Sequence, residues 1–246
     1  MLDLKCETRS FRGTHFLETV CGNFSMKLVR KISRFDLGDA FMQPLYLTFD
    51  DGPDPFSTPR VLEVLAKHEA RATFFMIAEK AKKFPDLVGQ IQSAGHSIGN
   101  HSLNHRYSQY FLGRKKIAKW VDESEKIMSE IIQAQTIGFR PPVGIWTPEL
   151  RSVLKERKMP LILWNIRFFD TQFAWTKSKA QVSLKKTLPG SIVLLHDRKS
   201  SRELPLFLDT LSEYVSEAKM RRLDLLPLQR ADCEKMAGFL PVSPLI

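Results

Sequence analysis

The sequence predicts an α/β fold organised on a parallel sheet, and three observations carry that prediction. From Pro44 onward short apolar runs alternate with amphipathic helical stretches, the alternation repeats six or seven times, and nearly every apolar run ends in polar or charged residues. Such a sheet either closes as a barrel or stays open and doubly wound. In both layouts chemistry gathers at the carboxyl ends of the strands. At 246 residues, 43% hydrophobic and 26% charged, the chain is long enough to bury a sizeable core.

The elements follow in order. Residues 1–43 have weak periodicity and read as an N-terminal leader of uncertain structure, with a helix near Ser25–Phe35; residues 44–246 form the regular domain. Seven runs read as strands: Leu45–Phe49, Ala72–Met76, Ser97–Asn100, Ile137–Arg140, Leu161–Asn165, Ser191–His196 and Arg222–Leu226. Between the first two, Thr58 is the expected N-cap of a helix with Pro59 at its first position. Phe84–Ala94 is helical and Gly95 stops it. Gly113–Ala134 is the longest helix, with Ile117, Trp120, Val121, Ser124, Ile127, Met128 and Ile131 at the spacing of a sheet-facing stripe. Thr147-Pro148 starts a short helix, and Ser178–Thr187 and Leu206–Lys219 supply the last two.

Lys and Arg number 37 against 27 Asp and Glu, a formal net charge of +10, so the surface attracts anions. No aromatic-interleaved motif accompanies the basic runs, and no nucleic-acid partner is expected. Peripheral contact with an anionic membrane or an acidic glycan suits this surface; oligomeric state is not readable from it. Cys6, Cys21 and Cys233 share no short spacing, which argues against a disulfide framework or a cysteine zinc site and favours a reducing compartment. Neither an export signal nor a membrane-spanning run is visible, so a cytoplasmic location is expected over the cell envelope.

The strand ends carry the candidate chemistry. Thr48-Phe49-Asp50-Asp51-Gly52-Pro53 ends the first run in two adjacent carboxylates, which is either turn chemistry or a site shared with a cation. After the third run, His101 and His105 lie four apart, the spacing that on a helical turn lets both imidazoles reach one metal. Two His and one carboxylate form a recurring ligand set for catalytic zinc, and one Asp of the pair would complete it and leave the other as a base. Arg140 follows the fourth run and can hold a carboxylate. His196 ends the sixth as a candidate general acid, with Asp170 after the fifth as the carboxylate to orient it.

Taken together, these motifs, with Ala72-Thr73-Phe74-Phe75 and Gly95-His96-Ser97-Ile98-Gly99-Asn100-His101, make the chain resemble the NodB-homology polysaccharide deacetylases between about Leu45 and Leu226. That is a carbohydrate esterase family of metal-dependent N-deacetylases. The resemblance implies a distorted (β/α) barrel of about seven parallel strands and removal of N-acetyl groups from N-acetylglucosamine-containing glycans, such as chitin oligomers or peptidoglycan. It matches Asp51, His101 and His105 to ligands of a divalent metal, with zinc the first expectation. Asp50 matches the base, Arg140 the group that holds it, His196 the acid and Asp170 the carboxylate that tunes the acid. The Val143 N–H matches an oxyanion donor, and Leu194 the lining of the acetyl pocket.

The chain departs from the family pattern after the fifth run, where Arg167 occupies an acidic position and Thr171 replaces a Trp. Phe168, Phe169, Phe173 or Trp175 could there supply a stacking surface or simply pack. Two other readings remain open: a deformylase or deacetylase of a lipid-linked amino sugar, and a glycan-binding relative without catalysis.

Overall fold

The computed structural model describes residues 43–237. The leader, its expected helix near Ser25–Phe35, and Cys6 and Cys21 lie outside the described residues except at Gln43. The order is β1 (Pro44–Gly52), α1 (Thr58–Lys67), β2 (Thr73–Met76), α2 (Ala78–Lys83), α3 (Pro85–Ser93), β3 (Ser97–Asn100) and α4 (Arg114–Ile132). Then come α5 (Pro148–Glu156), β4 (Ile166–Arg167), α6 (Lys177–Lys186), β5 (Ser191–His196), α7 (Leu204–Met220), β6 (Asp224–Leu225) and α8 (Arg230–Ala237).

Every strand pair is parallel, and the order β3-β2-β1-β5-β4 puts β1 at the centre with both faces buried. A parallel strand covered on both sides reads as a continuous apolar run, which is why Leu45, Leu47 and Phe49 are interleaved with buried Tyr46 and Thr48 rather than with exposed polar residues. β6 pairs with β1 only at Pro44 and Leu45, before β2 takes over that edge at Thr48. The main core packs α1, α3, α4 and α7 on this sheet around Phe49, Phe74, Leu65, Ile91, Met128 and Tyr214.

Two of the seven expected strands are corrected. Ile137–Arg140 and Leu161–Asn165 contribute only the single parallel bridges Asn100–Phe139 and Phe139–Leu161, and the strand beside β5 starts one residue later, at Ile166. The reason lies in the backbone groups. Pro141, Pro142 and Pro160 lack N–H donors, and the Ile162 and Leu163 carbonyls accept from the Arg140 guanidinium rather than from a ladder. Residues 161–167 nevertheless touch Phe139 on one side and β5 on the other, so the sheet closes irregularly on itself. The distorted barrel expected from the resemblance is this closure.

Among the helices, Ser57 and not Thr58 is the N-cap of α1; the Thr58 hydroxyl instead accepts from the Asp54 N–H at 2.8 Å and donates to Asp197. Thr147 caps α5 as expected, accepting from the Leu150 N–H at 3.2 Å. Helices α2 and α8 were not expected from the sequence; α2 is six residues, too short to show a period. No helix among the described residues is long and apolar enough to cross a membrane.

Candidate metal centre and active site

Asp50 and Asp51 lie near the carboxyl end of β1, where the register with β2 shifts between Asp50 and Gly52. Asp50 keeps the strand geometry and is buried beside His196 in register, whereas Asp51 has φ of 73° and swings toward the loop after β3. In that loop lie His101 and His105, and here the expectation of a helical turn is corrected. Ser102 and His105 have φ of 74° and 60°; the Asn100 side chain accepts from the Ser102 N–H, and the Ser102 hydroxyl from the His105 N–H. Local side-chain acceptors thus replace helical hydrogen bonds. The imidazoles still converge, with ring centroids 5.1 Å apart.

His101 Nδ1 donates to the Arg140 carbonyl at 2.8 Å, which leaves Nε2 without a proton in the neutral ring and aimed at the acids. Asp51 Oδ1 lies 3.5 Å from His101 Nε2 and 3.2 Å from His105 Nε2, is buried, and has no hydrogen-bond partner. Burial alone would raise the Asp51 pKa, but the close approach and charge of His101, then the charge of His196 and His105, hold it well below the usual carboxylate range. That attraction needs protonated rings, while burial pushes the His105 pKa down. In the neutral ring, His101 Nε2 and Asp51 Oδ1 face each other as electron pairs, because the His101 N–H is held on Nδ1 by the Arg140 carbonyl. A cation resolves the conflict, and Asp51, His101 and His105, with ligand atoms within 4.8 Å of one another, fit one.

Arg140 organises the other acid. Its Nη1 donates to Asp50 Oδ1 at 2.9 Å and to Thr48 Oγ1 at 2.6 Å, and its fully buried guanidinium lies 3.9 Å above the Phe75 ring. A Cβ at Gly99 would collide with the edge of that ring, so glycine there leaves room for Phe75 beneath the cation. Asp50 Oδ2 stays turned toward the metal cluster, 3.8 Å from His101 Nε2.

Across the site, Asp170 receives the His196 Nδ1–H at 2.8 Å on Oδ1 and the His196 backbone N–H at 2.9 Å on Oδ2. Burial would lower the His196 pKa, but the hydrogen bond and charge of Asp170 outweigh it, with Asp50 and Asp51 adding to a net rise. The sequence reading missed Lys199, whose buried ammonium donates at 2.8 Å to both Oδ2 and the carbonyl of Asp170. It also missed Asp197, fully enclosed, with its carboxyl pushed up to about 7 by burial. Asp197 directly follows His196 and Lys199 stands three residues after it, but neither position carries a spacing that separates a buried partner from a solvated residue.

Val143 stands on the rim in a short turn, half exposed with φ of 54°, and Leu194 is buried on β5. Gly144, with φ of 75°, lies against Trp164, where a Cβ would collide with the indole. Of the aromatics expected as stacking candidates, Phe168 and Trp175 pack together in the core at 4.7 Å, whereas Phe169 and Phe173 are exposed.

The family model described as polysaccharide deacetylase matches residues 40–162. The chain belongs to the polysaccharide deacetylase family. It is 34% identical over 154 residues to the chitooligosaccharide deacetylase of Azorhizobium caulinodans, covering 62% of this chain and 73% of that protein. Over 158 residues it is 35% identical to the peptidoglycan-N-acetylglucosamine deacetylase of Bacillus cereus, covering 63% and 73%. Its fold superposes on the peptidoglycan deacetylase PdaC from Bacillus subtilis with a TM-score of 0.69 at 26% identity, over 82% of this chain and 94% of that one. Membership of this family makes the chain an enzyme, a polysaccharide deacetylase. Asp170 and His196 lie beyond the matched span, so the structure is what joins them to the metal cluster.

Proposed function

We propose that the enzyme removes N-acetyl groups from N-acetylglucosamine-containing glycans such as chitin oligomers or peptidoglycan, with a divalent ion, zinc in first place, held by Asp51, His101 and His105. The observation that carries this is the buried Asp51 Oδ1 left without a hydrogen-bond partner between two imidazole nitrogens. The relatives named as chitooligosaccharide and peptidoglycan deacetylases support the substrate class.

Bound there, the ion supplies Lewis acidity toward a carbonyl and toward water. The chain's own residues do the rest. Arg140 occupies Asp50 Oδ1, so Oδ2 is the oxygen free to take the proton of an attacking water. Leu194 presents an apolar wall to the acetyl methyl, and the Val143 N–H donates to the developing oxyanion. His196 has Nδ1 fixed by Asp170, which leaves Nε2–H as the proton delivered to the departing sugar amine. Acetate and the protonated sugar amine result, and the protons balance: Asp50 takes one proton of the water, His196 gives one to the amine, and the second water proton passes from the new carboxyl group to the amine.

The test is acetate release from chitin oligomers by purified protein, before and after chelation and with zinc restored. Turnover that vanishes on chelation and returns with the metal supports the reading; metal-loaded protein that releases acetate from no amino sugar sinks it.

A second substrate, a lipid-linked amino sugar carrying an acetyl or formyl group, is favoured by one surface. Tyr107, Phe111 and Leu112 are exposed just beyond His105, and the exposed Arg114, Lys115, Lys116 and Lys119 follow on α4, a pairing of apolar tip and basic flank suited to an anionic membrane.

A further inference from the structure

We infer that Arg167 forms an anion subsite at the rim of the acetyl pocket, so that the preferred amino sugar carries an oxyanion, a carboxylate or a phosphate, close to its N-acetyl group. The inference rests on the deacetylase reading and names the class of substrate within it. Three features place the guanidinium at the site and leave it available.

The first is register. Arg167 on β4 pairs with Leu194 on β5, two residues before His196, and cross-strand partners share a face of the sheet. Arg167 therefore sits beside the residue proposed to line the acetyl pocket, and it is exposed where Leu194 is buried. Charge from Asp170, the partner of His196, reaches it.

The second is how the side chain is held. Its Cζ lies 3.6 Å from the centre of the Phe169 ring and 6.0 Å from Trp164, and Trp164 in turn lies 5.6 Å from the Cζ of Arg140. One indole thus neighbours both Arg167 and the cation that holds Asp50. Phe169 adopts φ of 55°, a conformation that bulky residues rarely take, and this reversal turns Phe169 out under the guanidinium while Phe168 enters the core and Asp170 reaches His196. A backbone outlier beside catalytic groups, used to seat a cation flat on an aromatic ring, is a built arrangement rather than a free surface side chain.

The third is the lack of an internal counter-ion. Among the described residues no carboxylate lies within ion-pair distance of Arg167, and its side chain donates no hydrogen bond. Asp170 is the acid in reach, and both its oxygens are taken by His196 and Lys199. Stacking uses the faces of a guanidinium and leaves its edge N–H groups for a planar, bidentate partner, which a sugar carboxylate matches best and a phosphate also satisfies.

The test compares wild type, Arg167→Gln and Arg167→Lys, loaded with zinc, on chitotetraose, on the disaccharide of N-acetylglucosamine and N-acetylmuramic acid, and on N-acetylglucosamine 1-phosphate. Arg167→Gln is expected to lower kcat/KM at least tenfold on an anionic substrate, mainly through KM, and no more than threefold on chitotetraose. Arg167→Lys rescues the phosphate more than the carboxylate, which tells the two sources apart. Equal falls on neutral and anionic substrates, or no fall on either anion, overturn the subsite. Calorimetric binding of the muramic-acid disaccharide and of the sugar phosphate reads the same preference without turnover. A wild type that binds an anion through Arg167 but releases no acetate contradicts the deacetylase reading alone, and loss of preferential binding contradicts the subsite alone.

Discussion

At the scale of single residues, adjacent Asp50 and Asp51 do different work because the backbone separates them. The φ of 73° at Asp51 sends its carboxylate to the imidazoles, while Asp50 stays in the strand against Arg140. His196 depends on Asp170 in a way that a pH profile reads. Its pKa is raised against the pull of burial by the Asp170 carboxylate, and an acid must be protonated to donate. The alkaline limb of kcat/KM therefore reports loss of that proton. In Asp170→Asn the charge is gone, the His196 pKa falls, and the limb moves to lower pH together with a fall in the maximum rate. A limb that stays in place while the rate falls would assign Asp170 a purely positional role. The sequence named both residues, but not Lys199 on the far oxygen of Asp170, because a lysine after a strand end carries no spacing that distinguishes a buried partner from a solvated one.

At the scale of elements, strands with continuous apolar runs were legible and irregular ones were not. Ser97–Asn100 and Ser191–His196 coincide with β3 and β5 to the residue. The segments around Phe139 and Leu161 looked equally apolar, yet their ladders fail where prolines remove donors and Arg140 takes carbonyls, a competition that only the three-dimensional position of Arg140 reveals. The histidine loop taught the same lesson: four-residue spacing survived as proximity, though the helix that usually explains it is absent. β3 also supports the site through a missing side chain. Gly99→Ala is expected to destabilise the protein by about 1–3 kcal/mol, read from the urea midpoint, because the added methyl overpacks against Phe75. Since Phe75 is the platform for Arg140, turnover should fall as well; unchanged stability and rate would show that the ring yields freely.

At the scale of the whole molecule, the sheet brings to one end residues drawn from every part of the domain: Asp50 and Asp51 from β1, the histidines from beyond β3, Arg140 from a bridge, Asp170 from beyond β4 and His196 from β5. Alternating pattern and strand-end chemistry were enough to foresee this gathering, because parallel α/β sheets place their carboxyl ends together. The irregular closure through residues 161–167 was not foreseeable, since one stretch serves two neighbours. A metal that ties the end of β1 to the loop after β3 binds the folded state only, so it should raise Tm in every variant that keeps all its ligands. The decisive measurement is metal content, metal-dependent rise in Tm, and acetate release for Asp50→Asn beside His101→Ala. Asp50→Asn should retain one equivalent of metal and the rise in Tm while losing turnover by at least about 100-fold; His101→Ala should lose the metal and the rise. Equal loss of metal in both variants would contradict the division of labour between the two acids.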